Sequence, residues 1–143
     1  MYTNRKESYR RFDVKPSRPW CNTCTWKITL KVLIACEYSG RVRDAFIAQG
    51  HDAISCDLLP TEVEGPHYKG DVRDILYDGF DLMVAHPSCQ HLAVSGSRHF
   101  WKKQKEQKES LDFVRLLMNA PIKRWCIENP VSIISSAIRP VSY

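Results

Sequence analysis

The sequence predicts an α/β domain built on a mostly parallel, twisted sheet, and three observations predict it. Short apolar runs rich in Val, Ile and Leu recur at 28–36, 51–56, 80–85 and 121–127. Runs of this length without polar alternation suit strands buried on both faces, as parallel sheets require. Stretches with apolar residues at helical spacing lie between several of them. Polar groups follow the carboxyl ends of the runs: the Glu37 to Gly40 turn, Asp57, the loop at Cys89, and Glu128-Asn129.

In chain order, residues 1–27 carry Pro16, Pro19 and scattered charges with no apolar period, which predicts a basic extended arm ahead of a domain over 28–143. The first strand, ending at Cys36, turns at Glu37-Tyr38-Ser39-Gly40, with Ser39 placed to cap the next helix. That helix sets Val42, Ala45, Phe46 and Gln49 on one side, puts Arg41, Arg43 and Asp44 on the other, and stops at Gly50. The second strand, 51–56, closes on Asp57. A short third strand starts at His67 and closes on Asp71, and one helical turn is expected near Asp74 to Tyr77. The fourth strand, Phe80 to Ala85, delivers the segment His86-Pro87-Ser88-Cys89-Gln90. Gly96 to Trp101 reads as a polar loop. A helix over 102–119 has the core face Leu111, Val114, Leu117 and Met118, and its lysines, interleaved with Glu106 and Glu109, read as a solvated face. The fifth strand ends at Glu128, and a last helix is expected over 132–138. The strand order implied is 3-2-1-4-5.

Size and composition bound the function. With 143 residues, 43% hydrophobic and 26% charged, the chain fits one soluble domain. No apolar run approaches the roughly 18 residues of a membrane span, and the N-terminus has no apolar signal region, so a cytoplasmic protein without a membrane partner is expected. The net charge of +5 is compatible with a polyanion. Much of that excess sits in the arm, where Arg5, Lys6, Arg10, Arg11, Lys15 and Arg18 face only Glu7 and Asp13. The six cysteines read as thiols. Cys36, Cys56 and Cys126 fall within or at the ends of apolar runs, where cysteine acts as a small hydrophobe. Cys21-Asn22-Thr23-Cys24 has the spacing of half a zinc site, but no second pair follows, so no metal is assigned.

The groups at the strand ends form a constellation. A tight turn into a helix presents backbone N–H groups to a ligand, and an acid closing the second strand suits two ribose hydroxyls. Asp71 can reach the base of the same ligand or serve as a helix cap. Cys89, in a polar loop past the fourth strand, is a candidate nucleophile.

Pro87-Ser88-Cys89-Gln90 followed by Leu92, Ala93 and Gly96 resembles the Pro-Pro-Cys-Gln loop of DNA cytosine C5-methyltransferases, and Glu128-Asn129-Pro130 is similar to that family's Glu-Asn-Val motif. The run Val32 to Phe46, with Cys56-Asp57-Leu58-Leu59-Pro60, Gly70-Asp71-Val72 and the Ala85-His86-Pro87 loop, looks closer still to a bacteriophage set of methyltransferase-like proteins. The resemblance covers about 31–140. It implies a Rossmann-like S-adenosylmethionine-dependent methyltransferase core acting on DNA. Cys89 would attack C6 of a flipped cytosine, Glu128 would hold the ring's N3 and amine, and Asn129 would brace the loop. Asp57 would hold the cofactor's ribose, Asp71 its adenine, and Glu37, Tyr38, Ser39, Gly40 and Pro87 would line the same site.

The sequence departs from that pattern in three ways. Ser88 stands where the family has a second proline, and the first turn has one glycine where the family has more. The family's later strands, arginine motif and target-recognition domain have no counterpart, so the fold is expected to be incomplete at its C-terminal end. Two functions follow as expectations: a minimal cytosine methyltransferase, or a degenerate relative that uses the fold to bind nucleic acid or to block a host defence protein. A reading of His86 to Cys89 as a distorted amino-methyltransferase loop lacks the aromatic residue that such loops carry.

Overall fold

The computed structural model describes residues 28–138; the arm over 1–27, with Cys21 and Cys24, lies outside the described residues. Five strands, β1 (Lys31–Ala35), β2 (Asp52–Asp57), β3 (His67–Lys69), β4 (Leu82–Ala85) and β5 (Arg124–Ile127), form one sheet in the order β3-β2-β1-β4-β5. Every pairing is parallel. The expected order and strand direction are therefore present, and the architecture is consistent with a Rossmann-like fold. The chain runs outward from β1 through β2 to β3, then returns to β4 on the other side of β1. That reversal opens a crevice at the carboxyl ends of the strands, where open α/β sheets take their ligands.

The two faces are covered unequally. On one, Val32, Ile34 and Ala53 meet Val42, Phe46 and Ile47 of helix α1 (Arg41–Ala48). On the other, Leu33, Ala35, Ile54, Cys56, Met83 and Ala85 pack with Val72, Ile75 and Leu76 around the 3-10 turn Val72–Asp74, and with Leu117 of helix α2 (Gln104–Met118). Each large apolar side chain fully withdrawn from water contributes roughly 1.5–3 kcal/mol, so this second cluster dominates the core. A four-residue helix α3 (Ile134–Ala137) follows β5. The segment before it is tied back by an antiparallel bridge between Ala93 and Ser132.

Four local expectations are corrected. Arg43 was assigned to the solvent side of its helix, yet it is fully buried. Its guanidinium donates to Asp44 Oδ1 (2.8 Å), Ser55 Oγ (3.3 Å), Thr61 Oγ1 (3.3 Å) and the carbonyls of Val63 (3.1 Å) and Glu64 (3.4 Å). An arginine can be buried when its fork finds acceptors, and hydropathy spacing does not register that case. Ala45 and Gln49, expected on the core face, are correspondingly exposed. Ser39 is not the principal cap: Gly40 occupies the cap position, and Glu37 Oε1 accepts from Val42 N (2.9 Å) and Ser39 Oγ (2.8 Å). The stretch read as a polar loop is a 3-10 helix, Val94–Lys102. Cys126 is exposed, because nothing among the described residues covers the α1 side of β5.

Gly40 and Gly65 have positive φ and sit against the Arg43 guanidinium, where an added Cβ would come within 2.5 and 2.7 Å of it. Their lack of a side chain admits the arginine. Cys36 is the one described non-glycine residue at positive φ, 59°. It swings the chain off β1 and still lets Glu37 N donate to Cys56 O (3.1 Å).

Candidate functional site

A cleft of about 540 Å³ opens at the carboxyl edge of the sheet, within the range of small-molecule sites. Each wall comes from a different element. Cys36 follows β1, Cys56 and Asp57 end β2, and Gly70 to Arg73 follow β3. His86, Pro87, Ser88 and His91 come from the loop after β4, while Glu106, Glu109, Ser110 and Phe113 project from α2. Backbone bonds set the spacing of the strand ends: Gly70 N donates to Asp57 O (2.9 Å), His86 N to Ala35 O (2.9 Å) and Glu128 N to Ala85 O (2.9 Å).

Of the residues singled out from sequence, Asp57, Asp71 and Pro87 line this cleft. One oxygen of Asp57 accepts from Leu59 N (2.9 Å), and the other has no hydrogen bond among the described residues. Asp71 is spent differently. Its oxygens accept from Arg73 N (2.9 Å) and Arg73 Nη1 (2.7 Å), so it caps the 3-10 turn, the alternative its sequence context had left open.

Glu37, Tyr38, Ser39 and Gly40 are not among the cleft-lining residues. Glu37 is buried, its Oε2 with no hydrogen-bond partner among the described residues, and Tyr38 O accepts from Glu62 N (2.9 Å). The first turn is therefore roofed by the loop that Arg43 holds down.

Cys89 and Glu128 lie on the same edge of the sheet but outside the cleft lining. Cys89 is half-buried and starts a turn in which Leu92 N (3.0 Å) and Ala93 N (2.9 Å) donate to its carbonyl. Asn129 Nδ2 donates to Pro87 O (2.9 Å), which fastens the loop after β4 to the end of β5. The Glu128 side chain is 63% exposed, and its Oε2 lies 3.6 Å from His86 Nδ1. His86 Nε2 is buried with no hydrogen-bond partner among the described residues, on a residue that lines the cleft.

The electrostatics follow from this arrangement. Four carboxylates, Asp57, Asp71, Glu106 and Glu109, line the cleft against one arginine, Arg73. The site suits a ligand that is cationic or rich in hydroxyl and amine donors. Its floor is apolar and holds two thiols. Burial, reinforced by nearby Asp57 and Asp71, pushes the Cys36 thiol up to about 12, and burial likewise raises Cys56 to about 12. Both stay neutral at physiological pH, and Cys56 Sγ donates to Gly70 O (3.5 Å). No cluster of three or more metal-ligating side chains occurs among the described residues.

Sequence reasoning did not single out His86, Phe113, Glu106 or Glu109 for the site. The signal for His86 was present, since it is the first residue past β4. The α2 residues had none, because only the packing angle of that helix brings one of its polar turns over the sheet edge.

No protein-family model, curated protein or solved structure matches this chain. Among the described residues no helix is long and apolar enough to cross a membrane.

Proposed function

We propose that the chain is a methyltransferase-type protein that takes S-adenosylmethionine in this cleft and acts on cytosine in DNA, with Cys89 as nucleophile and Glu128 as its acidic partner. The observation that carries the proposal is Asp57: an acid closing β2, with one oxygen unengaged, beside an apolar-floored cleft at the reversal point of a parallel sheet. The cofactor's chemistry fits the donor set, because its ribose hydroxyls and amine offer hydrogen bonds and its sulfonium a positive charge to a wall of carboxylates. When bound, it supplies an activated methyl group.

The chain's own residues divide the remaining work. Asp57 holds the ribose, while Val72 and Phe113 offer apolar surface to the adenine. Asn129 braces the loop that carries Pro87 and Cys89. Glu128, exposed and beside His86, orients the imidazole in the free protein and turns to the base when nucleic acid arrives. Cys89 adds to C6 of the pyrimidine and departs again after C5 has been methylated and has lost its proton.

A second reading is favoured by one observation. Cys89 and Glu128 stand outside the cleft lining, as a binding module that keeps the fold without the reaction would allow. Calorimetric titration with S-adenosylmethionine, followed by transfer of labelled methyl groups to cytosine-rich DNA, separates the readings. Binding and transfer that vanishes in Cys89→Ser are expected. Absence of binding at millimolar cofactor sinks the methyltransferase, and transfer unchanged in Cys89→Ser sinks the assigned nucleophile.

A further inference from the structure

Beyond the loop that carries Cys89, the 3-10 helix Val94–Lys102 leads into α2 and presents a surface the cleft does not use. Trp101 is 71% exposed there, a large indole at the surface. Lys102 Nζ lies 4.8 Å from the centre of its ring, over one face, and most of the indole remains exposed. Arg98 and Lys103 lie close to it in sequence, and Lys105 and Lys108 follow along α2. Of these cations only Lys105 has a carboxylate within ion-pair distance among the described residues, Glu109 at 4.0 Å. Lysines at the start of a helix are ordinarily a solvated face. An exposed indole with a cation on its ring and further cations beside it in sequence is a different arrangement, because one partner chemistry satisfies both features.

We infer that this surface grips single-stranded nucleic acid, one unpaired base stacking on the open face of Trp101 and the neighbouring phosphates lying on Arg98, Lys102 and Lys103. Stacking on an aromatic side chain is available only to a base outside a duplex, and cationic side chains around it track the backbone. The surface belongs to the same stretch of chain as the Cys89 loop, joined to it through Ala93 and the 3-10 helix. An anionic membrane also attracts lysine and tryptophan, but membrane binding draws on a broad apolar face. Here the exposed apolar residues of the 3-10 helix are Trp101 and Val94 alone. The inference deepens the nucleic-acid half of the reading above and does not need methyl transfer.

The test is fluorescence anisotropy of a labelled 20-nucleotide oligodeoxycytidine, as a single strand and annealed to its complement, with the full chain and no cofactor. The single strand should bind more tightly, and Trp101→Ala should weaken it by roughly 5- to 100-fold, with Trp101→Phe recovering part of the loss. Arg98→Ala and Lys103→Ala should each flatten the dependence of log K on log salt by about 0.7. Trp101 is exposed, so its variants should fold; circular dichroism checks this. Duplex bound as tightly as the single strand, or Trp101→Ala binding like the parent, overturns the inference. So does Trp101-dependent binding to phosphatidylserine vesicles without binding to the oligonucleotide. Trp101-dependent grip with no affinity for S-adenosylmethionine leaves this surface standing and removes the methyltransferase reading; cofactor binding without grip does the reverse.

Discussion

Replacing Arg43 with methionine should loosen the loop over 57–66 and the cleft beside it. The side chain is fully buried and supplies the donors for five acceptors, three of them, Thr61 Oγ1, Val63 O and Glu64 O, on that loop. Removing one partner of a buried charged network costs about 3–5 kcal/mol. The lower end applies here for two reasons. The Asp44 side chain is 44% exposed, so its ion pair is screened and contributes little. The loop carbonyls can hydrate once the loop lifts, and Ser55 Oγ keeps His67 Nδ1 at 2.9 Å. Methionine fills part of the space, which leaves an expected loss of about 3 kcal/mol. With a urea dependence of about 2 kcal/mol/M for a domain of this size, the unfolding midpoint should drop by about 1.5 M. Limited proteolysis should at the same time cut between 58 and 66 before global unfolding. A midpoint within about 0.3 M of the parent, with the loop still protected, would refute the assignment of Arg43 as the loop's anchor.

Asp57→Asn should lower affinity for S-adenosylmethionine or its demethylated product by roughly 10- to 100-fold in calorimetry, the worth of a charge-assisted hydrogen bond; equal affinity removes Asp57 from the ligand site. Of the four cysteines among the described residues, at pH 8 iodoacetamide should label exposed Cys126 first and half-buried Cys89 next, sparing Cys36 and Cys56, whose thiols burial holds neutral up to about 12; peptide mass spectrometry reads the order. The same burial makes stability alkali-sensitive. Between the ordinary thiol value of 9.0 and about 12 the folded chain binds more protons than the unfolded one, so stability should decline as pH rises through that window, followed by denaturation midpoints at fixed temperature. Asn129→Ala breaks the bond to Pro87 O but also removes a buried Oδ1 that has no partner among the described residues, so a modest loss of about 1 kcal/mol is expected, seen as a melting temperature lower by about 3–5 °C.

The sheet was legible in the sequence because its central strands, β1 and β2, are buried on both faces. The continuous run at Val32-Leu33-Ile34-Ala35 is the signature of that environment, and in the structure all four are inaccessible to water. Strand order followed from connection rules that side-chain detail does not alter. The candidate site was legible only where chemistry sits at a strand end, as with Asp57 and Pro87. Arg43 was misread because spacing arguments treat any arginine as a solvent residue, whereas this one is buried against carbonyls from a loop twenty residues away, a tertiary fact. Glu37 was read toward a ligand, but its carboxylate turns back to cap α1. The contribution of α2 to the cleft depends on how that helix lies across the sheet, which no local pattern encodes.

The left-handed backbone at Cys36 carries a thermodynamic trade. A non-glycine residue held at φ 59° costs about 1–2 kcal/mol relative to a glycine there. Evolutionary drift toward stability would favour Cys36→Gly, which removes the strain and a thiol from the cleft floor together. The replacement would also free the hinge between β1 and the first turn, so the same substitution that raises the melting temperature would blur the position of everything the turn supports. A thermostability screen on this domain would therefore select against the order of its own cleft at this residue, and variants recovered there should be assayed for ligand affinity before they are kept.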